Sequence, residues 1–254
     1  MKTPTYALLL SLSLLVIFSC DDTATDEFNN INPDVGDTSN LITKIETESV
    51  QDASENKIII ISYDANDRVS SVSDGISAGV LVYSDGNLSN VAEGGEVFNI
   101  SELINAPYDA FETGIVEEYD NNGNPVKITF YEEEVNESNG FIEVVEYKAD
   151  VFYDNMPNPY FYTLEAAGVM DILDDVDINF SLNPQITDIV RARMLFPLNN
   201  IKRIVFKDNN SVVLAEVALD YIYNNSNHPI SATVTATDIS NNETSVYMLN
   251  YTYK

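Results

Sequence analysis

YDNNGNPVKITF, residues 119–130, sets an aromatic residue before a run of turn formers and follows them with an alternating apolar tail. Asn, Asp and Gly tolerate the positive φ of tight turns, and their side chains bond locally to the backbone. Aromatic and β-branched residues suit the flanking strands. The same order recurs at residues 63–72, 83–91, 153–159, 206–212 and 223–230. Turn positions are expected at Asp64, at Asp85 and Gly86, at Asp120 and Gly123, and at Asn224 and Asn225. Irregular spacing makes these copies hairpins along a meander rather than one site. At residues 119–130 the expectation is a type I′ turn, with Gly123 at positive φ.

The segments between turns alternate. Over residues 141–153, Val145, Tyr147, Ala149, Val151 and Tyr153 share one face, and Glu146, Lys148 and Asp150 the other. Tyr247, Leu249, Tyr251 and Tyr253 share a face of the last segment. Period two with one polar face describes an antiparallel sheet wetted on one side. Residues 212–223 begin apolar on both faces and belong in the sheet interior. Helices are expected over 183–194, where Asn183-Pro184 opens a 3.6-residue period, over 163–173, and over 101–110. The fold class is mainly β, a β-rich α+β arrangement: an antiparallel meander of hairpins with two or three short helices covering one sheet face.

The N-terminus is read as targeting. Lys2 precedes an apolar run, 7–18, too short for the ~20 residues of a membrane-spanning helix. The run ends at Ser19-Cys20, and the polarity changes at once to Asp21-Asp22. A small residue before the only cysteine resembles a bacterial lipoprotein cleavage site, although Phe18 stands where a small residue is usual. The resemblance implies that Cys20 carries the lipid. Residues 1–19 are then a signal peptide, 20–40 the lipidated cysteine with an acidic flexible tether on the order of 25 Å, and 41–254 one β-rich domain. The acids after Cys20 resemble the surface-export signals of Bacteroidetes-type lipoproteins, and Asp22-Thr23-Ala24 resembles a short O-glycosylation motif, with Thr23 as acceptor.

The net charge of −29 becomes −30 without residues 1–19, which argues against nucleic acid and polybasic membrane binding. No catalytic set is legible. His228, the single histidine, sits in a turn copy, and no G-x-S-x-G elbow occurs. One His and one lipidated Cys leave no zinc set. Asp120-x-Asn122-x-Asn124 has the spacing of calcium ligands, but an EF-hand loop needs Gly and Glu where Pro125 and Tyr131 stand. The acids around Glu132-Glu133-Glu134 and Glu137 read as a solvated loop rather than a glycosidase pair. No metal or cofactor is expected. Arg191, Arg193, Lys202, Arg203 and Lys207 form a basic island that either pairs internally or docks an acidic partner.

The turn copies resemble the YD repeats of Rhs-type proteins. Together with the cysteine, the acidic segment and a first strand at Leu41-Ile42-Thr43-Lys44-Ile45, they resemble a group of uncharacterised Bacteroidetes-type lipoproteins. The resemblance implies a β-rich protein of the cell envelope, held at the outer membrane through the lipid on Cys20, and supplies no catalytic residue. The expected function is non-catalytic binding or scaffolding of an envelope protein or glycan. A carbohydrate-binding component of a glycan-uptake system and a carboxylate-dependent glycosidase are the alternatives.

Overall fold

The computed structural model describes residues 24–33, 41–93, 96–100, 108–109, 114–135, 140–179 and 189–254. The strands are β1 (Ile42–Ser49), β2 (Lys57–Tyr63), β3 (Val69–Ser73), β4 (Ala78–Ser84), β5 (Asn87–Glu93), β6 (Glu96–Asn99), β7 (Tyr108–Asp109), β8 (Ile115–Tyr119), β9 (Pro125–Val135), β10 (Ile142–Pro157), β11 (Asp177–Asn179), β12 (Ile189–Arg191), β13 (Asn199–Asp208), β14 (Val213–Tyr223), β15 (Pro229–Asp238) and β16 (Glu243–Tyr253). The helices are α1 (Ala24–Ile31), α2 (Tyr160–Ala166) and α3 (Val169–Asp175). Among the described residues, thirteen strands form one antiparallel sheet in the order β6-β5-β4-β3-β2-β1-β16-β15-β14-β13-β10-β9-β8. It is two meanders zipped together by their outermost members, with Ile45 of β1 opposite Tyr251 of β16. The strand at 212–223, β14, lies inside the sheet as its composition requires. No helix among the described residues is long and apolar enough to cross a membrane.

The hairpin motif has one geometry in four copies. At Asp64, Asp120, Asp208 and Asn224 the N–H donates to the carbonyl four residues on, at 2.8–3.0 Å. The side-chain Oδ1 accepts the N–H groups two and four residues on, also at 2.8–3.0 Å. The fourth residue is left-handed: Asp67 (φ 62°), Gly123 (80°), Ser211 (65°) and Asn227 (60°). This is a type I turn closed by a left-handed bulge residue, a three-residue loop, not the type I′ turn expected at Asn122-Gly123. Among the described residues, Asp85 and Gly86, with φ of 52° and 94°, alone combine two adjacent positive values, the type I′ signature. The copy at residues 153–159 makes no hairpin. Met156 N–H caps Asp154 Oδ1, but β10 stays paired with β13 to Pro157 and then leads into α2. The β15–β16 turn lacked a leading aromatic and escaped the pattern, although Asp238 Oδ1 accepts Asn241 N–H at 2.9 Å.

Four tyrosines, three of them motif aromatics, share one task. Tyr63, Tyr83, Tyr153 and Tyr253 donate their hydroxyls to the carbonyls of Ile42, Val69, Pro125 and Pro229, each the first residue of a strand, at 2.6–2.7 Å. Strand entry is where the ladder leaves a carbonyl without a partner, so the phenol supplies one. Tyr83→Phe should therefore destabilise by about 1 kcal/mol with the fold retained, as denaturant midpoints would show. An unchanged midpoint would mean that water serves the Val69 carbonyl equally well.

Tertiary structure overrides three local readings. The helix expected over 163–173 is two, α2 and α3, broken at Gly168 (φ 73°), where a Cβ would stand 3.2 Å from Leu88 Cβ. Of 183–194, residues 183–188 lie outside the described residues. The remainder is strand β12 and a 3₁₀ turn, Ala192–Leu195, because Arg191 and Val190 pair with Asp177 and Ile178 of β11. Of 101–110, only Tyr108–Asp109 is described, a strand parallel to β11.

The acidic tether is the largest correction. Within it, Ala24, Phe28 and Ile31 recur at helical spacing, and α1 folds onto the helical layer with Phe28 fully buried. The Phe28 ring stacks on Phe161 of α2 at 3.8 Å between centroids. Glu27 pairs with Arg193, and Thr25 Oγ1 donates to Glu165 at 2.8 Å. Glu27 thus meets a base across the helical layer.

Candidate binding groove

Residues directly opposite on antiparallel strands share a face, so the pairing sorts the sheet into two sides. The outward side carries ion pairs between neighbours, among them Arg203 with Glu216 and Lys207 with Asp150. The inward side is apolar. Helices α2 and α3 cover its β1–β5 part, where Ile45, Ile61, Val69 and Leu88 are buried. Over β9, β10, β13 and β14 the same apolar alternation continues, and among the described residues Tyr160, Leu195 and Pro197 border it.

The result is a groove of two adjoining hollows. One, about 330 Å³, is floored by Phe130, Val151 and Phe206 and walled by Leu195 and Pro197. The other, about 290 Å³, is bounded by Val217, Leu219, Leu249, Tyr251 and Tyr160. Ile201 and Ile204 belong to both. No residue lining either hollow is charged. The tyrosines spend their hydroxyls inside the protein: Tyr153 on the Pro125 carbonyl and Tyr221 on the Ile201 carbonyl at 3.0 Å. Burial pushes the phenols of Tyr153, Tyr221 and Tyr251 up, so all stay neutral.

A polar cleft of about 480 Å³ adjoins the groove, sharing Tyr153 with one hollow and Leu219 and Tyr221 with the other, where β13 and β14 part before their pairing begins at Arg203 and Ala218. Asp154, Lys202, Asp220 and Tyr223 line it. Asp154 accepts Met156 N–H on one oxygen and the Tyr223 hydroxyl on the other. Burial raises its pKa, against the opposing pull of the Tyr223 hydrogen bond.

The residues singled out from sequence are spread through the fold. Cys20 and Thr23 lie outside the described residues, as does Glu137, and the side chains of Glu132, Glu133 and Glu134 are likewise not described. The basic five divide between two places. Arg191 donates to the Asp174 carbonyl, and Arg193 bonds Glu27 and Asp174 in the helical layer. Arg203 and Lys207 face outward on β13, and Lys202 lines the cleft. His228 is buried against Tyr162 and Tyr253, and burial lowers its pKa. Asp64, Asp120 and Asn224 direct their carboxyl or amide oxygens to turn N–H groups, Asp85 and Gly86 form the β4–β5 turn, and Asn225 is exposed in the β14–β15 turn. Among the described residues no His, Cys, Asp or Glu cluster is placed to hold a metal ion. The groove itself was not singled out from sequence. Its signal was the apolar alternation of 141–153 and 212–223, with no comparably apolar helix left to cover both.

No protein-family model matches the chain, and no curated protein does. Among solved structures, a porin-like protein from Bacteroides uniformis aligns with 84% of this chain and 98% of its own at 12% identity and a TM-score of 0.38. A porin-like protein from Bacteroides vulgatus aligns over 78% and 66%, at 13% identity and a TM-score of 0.29. An outer membrane lipoprotein-sorting protein domain, so described in its source as putative, from Vibrio parahaemolyticus aligns over 89% of each chain, at 10% identity and a TM-score of 0.29. Likenesses this loose pass no function across.

Proposed function

We propose that the chain is a lipid-anchored, non-catalytic binding protein of the cell envelope whose groove takes up an uncharged apolar chain. The anchor is the reading of Cys20. The ligand class rests on one observation, the absence of charge from the whole groove lining in a chain of net charge −29. An anion would meet repulsion from the surrounding acids, and any ion would lose hydration with no counter-charge to replace it. An apolar chain loses only unfavourable contact with water. The hollows together fall in the size range of small-molecule sites, roughly 300–1,000 Å³.

The test is fluorescence titration with the neutral probe N-phenyl-1-naphthylamine, displaced by an uncharged monoacylglycerol. Ile204→Glu places a charge on the floor shared by both hollows and should weaken probe binding at least about tenfold, or 1.4 kcal/mol. Leu219→Phe fills one hollow without charge and should also weaken it. Ile222→Glu, exposed on the opposite face, should leave it unchanged. Equal binding by all three variants would remove the groove from consideration.

A hydrolase is a second reading, favoured by Asp154, a half-buried carboxyl of raised pKa, sharing a cleft with Asp220. Turnover of chromogenic glycosides by the wild-type chain and not by Asp154→Asn would establish it.

A further inference from the structure

We infer that the bilayer lies directly against the helical layer of the molecule, at the N-terminus of α1, and that the protein is not held away from the membrane. The inference rests on the reading of Cys20 as the lipidated residue.

The distance argument is short. Ala24 is 1% exposed, and its N–H donates to Asp174 Oδ2 at 3.1 Å. Beyond it α1 is fastened along its length: Thr25 to Glu165, Glu27 to Arg193, and Phe28 between Phe161 and Tyr162. At its far end Asn32 Oδ1 accepts from Asn199 Nδ2 at 3.4 Å. Three residues, Asp21, Asp22 and Thr23, therefore separate the lipidated cysteine from a fixed point of the fold. Four Cα–Cα steps reach at most about 14 Å even when fully extended. That is not much more than a Debye length, so the body is held close against the headgroup region rather than tens of ångströms from it.

The surface brought to the membrane is then the ground around Ala24. It consists of the end of α3 with Asp174 and Asp175, and the segment after β12 in which Arg193 bonds both Glu27 and Asp174. Beside Arg193, Met194 is exposed, and Ile189 of β12 is exposed too. Exposed apolar side chains at this site suit the headgroup boundary, where they lose water without crossing the bilayer. The β15–β16 turn is far away. The helical layer packs on Tyr251, ten residues before which lies Asn241, about 33 Å along the strand.

The chain contains no tryptophan, so a single introduced indole reports alone. The experiment takes the full lipid-modified chain, reconstituted into phosphatidylcholine vesicles containing brominated lipid, with Met194→Trp or Asn241→Trp as reporter. The expected result is severalfold stronger quenching of the Met194→Trp protein. Adding Phe28→Ala should abolish the difference while the protein stays on the vesicles, because an undocked α1 lengthens the connection. Co-sedimentation with equal quenching of both reporters would overturn the orientation and leave the anchor standing. Failure to co-sediment, in a chain whose Cys20→Ala variant behaves identically, would overturn the anchor and the orientation with it.

Discussion

Truncating Phe28 to alanine should destabilise the purified chain by about 3–5 kcal/mol, the range for a buried aromatic. Phe28 is fully buried, stacked on Phe161 and met edge-on by Tyr162 at 5.3 Å. Such ring pairs add to the area they remove from water. An eight-residue helix is marginal alone, so α1 exists because it docks. Two outcomes are therefore distinguishable. If α1 belongs to the cooperative unit, the whole loss appears in the denaturant midpoint, and the melting temperature falls on the order of 10 °C, at about 2–4 °C per kcal/mol. If α1 opens by itself, the global midpoint falls less, and the loss appears as hydrogen exchange at the α1 amides. Asn29→Ala, exposed on the same helix, should change either by less than about 0.5 kcal/mol. A Phe28→Ala protein with unchanged midpoint and protected α1 amides would contradict the packing itself.

What the sequence discloses and what it hides follow from the range of the interactions. The hairpins at Asp64, Asp120, Asp208 and Asn224 are legible because an Asx side chain bonds N–H groups two and four residues away, within the window a reader sees. The two-faced strands are legible for the same reason. Pairing of β1 with β16 is not, since nothing in Ile45 names Tyr251 as its neighbour. Phe28 stands in an acidic segment whose partners, Arg193 for Glu27 and Glu165 for Thr25, are more than a hundred residues away, so composition reads α1 as solvated. Residues 189–195 have helical periodicity, but β11 offers Ile189, Val190 and Arg191 a ladder that periodicity does not reveal. The groove is the hardest feature to read, because it is made by where the covering helices stop. The chain announces apolar faces, and only the tertiary arrangement shows which of them the described helices cover.

Asn124→Leu should cost about 3–5 kcal/mol, because it leaves several buried groups without partners at about 1–3 kcal/mol each. Asn124 is the last polar residue of the turn in YDNNGNPVKITF, and it is fully buried. Its Oδ1 accepts Leu198 N–H at 2.7 Å, and its Nδ2 donates to Asp120 Oδ2 at 3.0 Å and Asn199 Oδ1 at 2.9 Å. Asn122 donates to the same Asn199 oxygen at 3.1 Å, and Asn199 reaches on to Asn32 after α1. The turn is thus a joint in a second sense, since it ties the β8–β9 hairpin to the start of β13 and to the end of α1. Leucine matches the volume, so a large loss would report the network and not a cavity. Asn124→Asp separates the two roles of the amide further. It keeps the acceptor for Leu198 but sets a carboxylate against Asp120 Oδ2 and Asn199 Oδ1, both acceptors. Such a carboxyl has its folded-state pKa raised above the unfolded value, so the folded state binds the proton more tightly. Stability is then fullest below the unfolded pKa and is lost as pH rises through the folded one. Asn124→Asp should therefore approach the wild-type midpoint near pH 4 and fall behind it by neutral pH, while Asn124→Leu trails at every pH. A pH-independent deficit in Asn124→Asp would mean that the introduced carboxyl is not held against Asp120 and Asn199, contrary to the geometry.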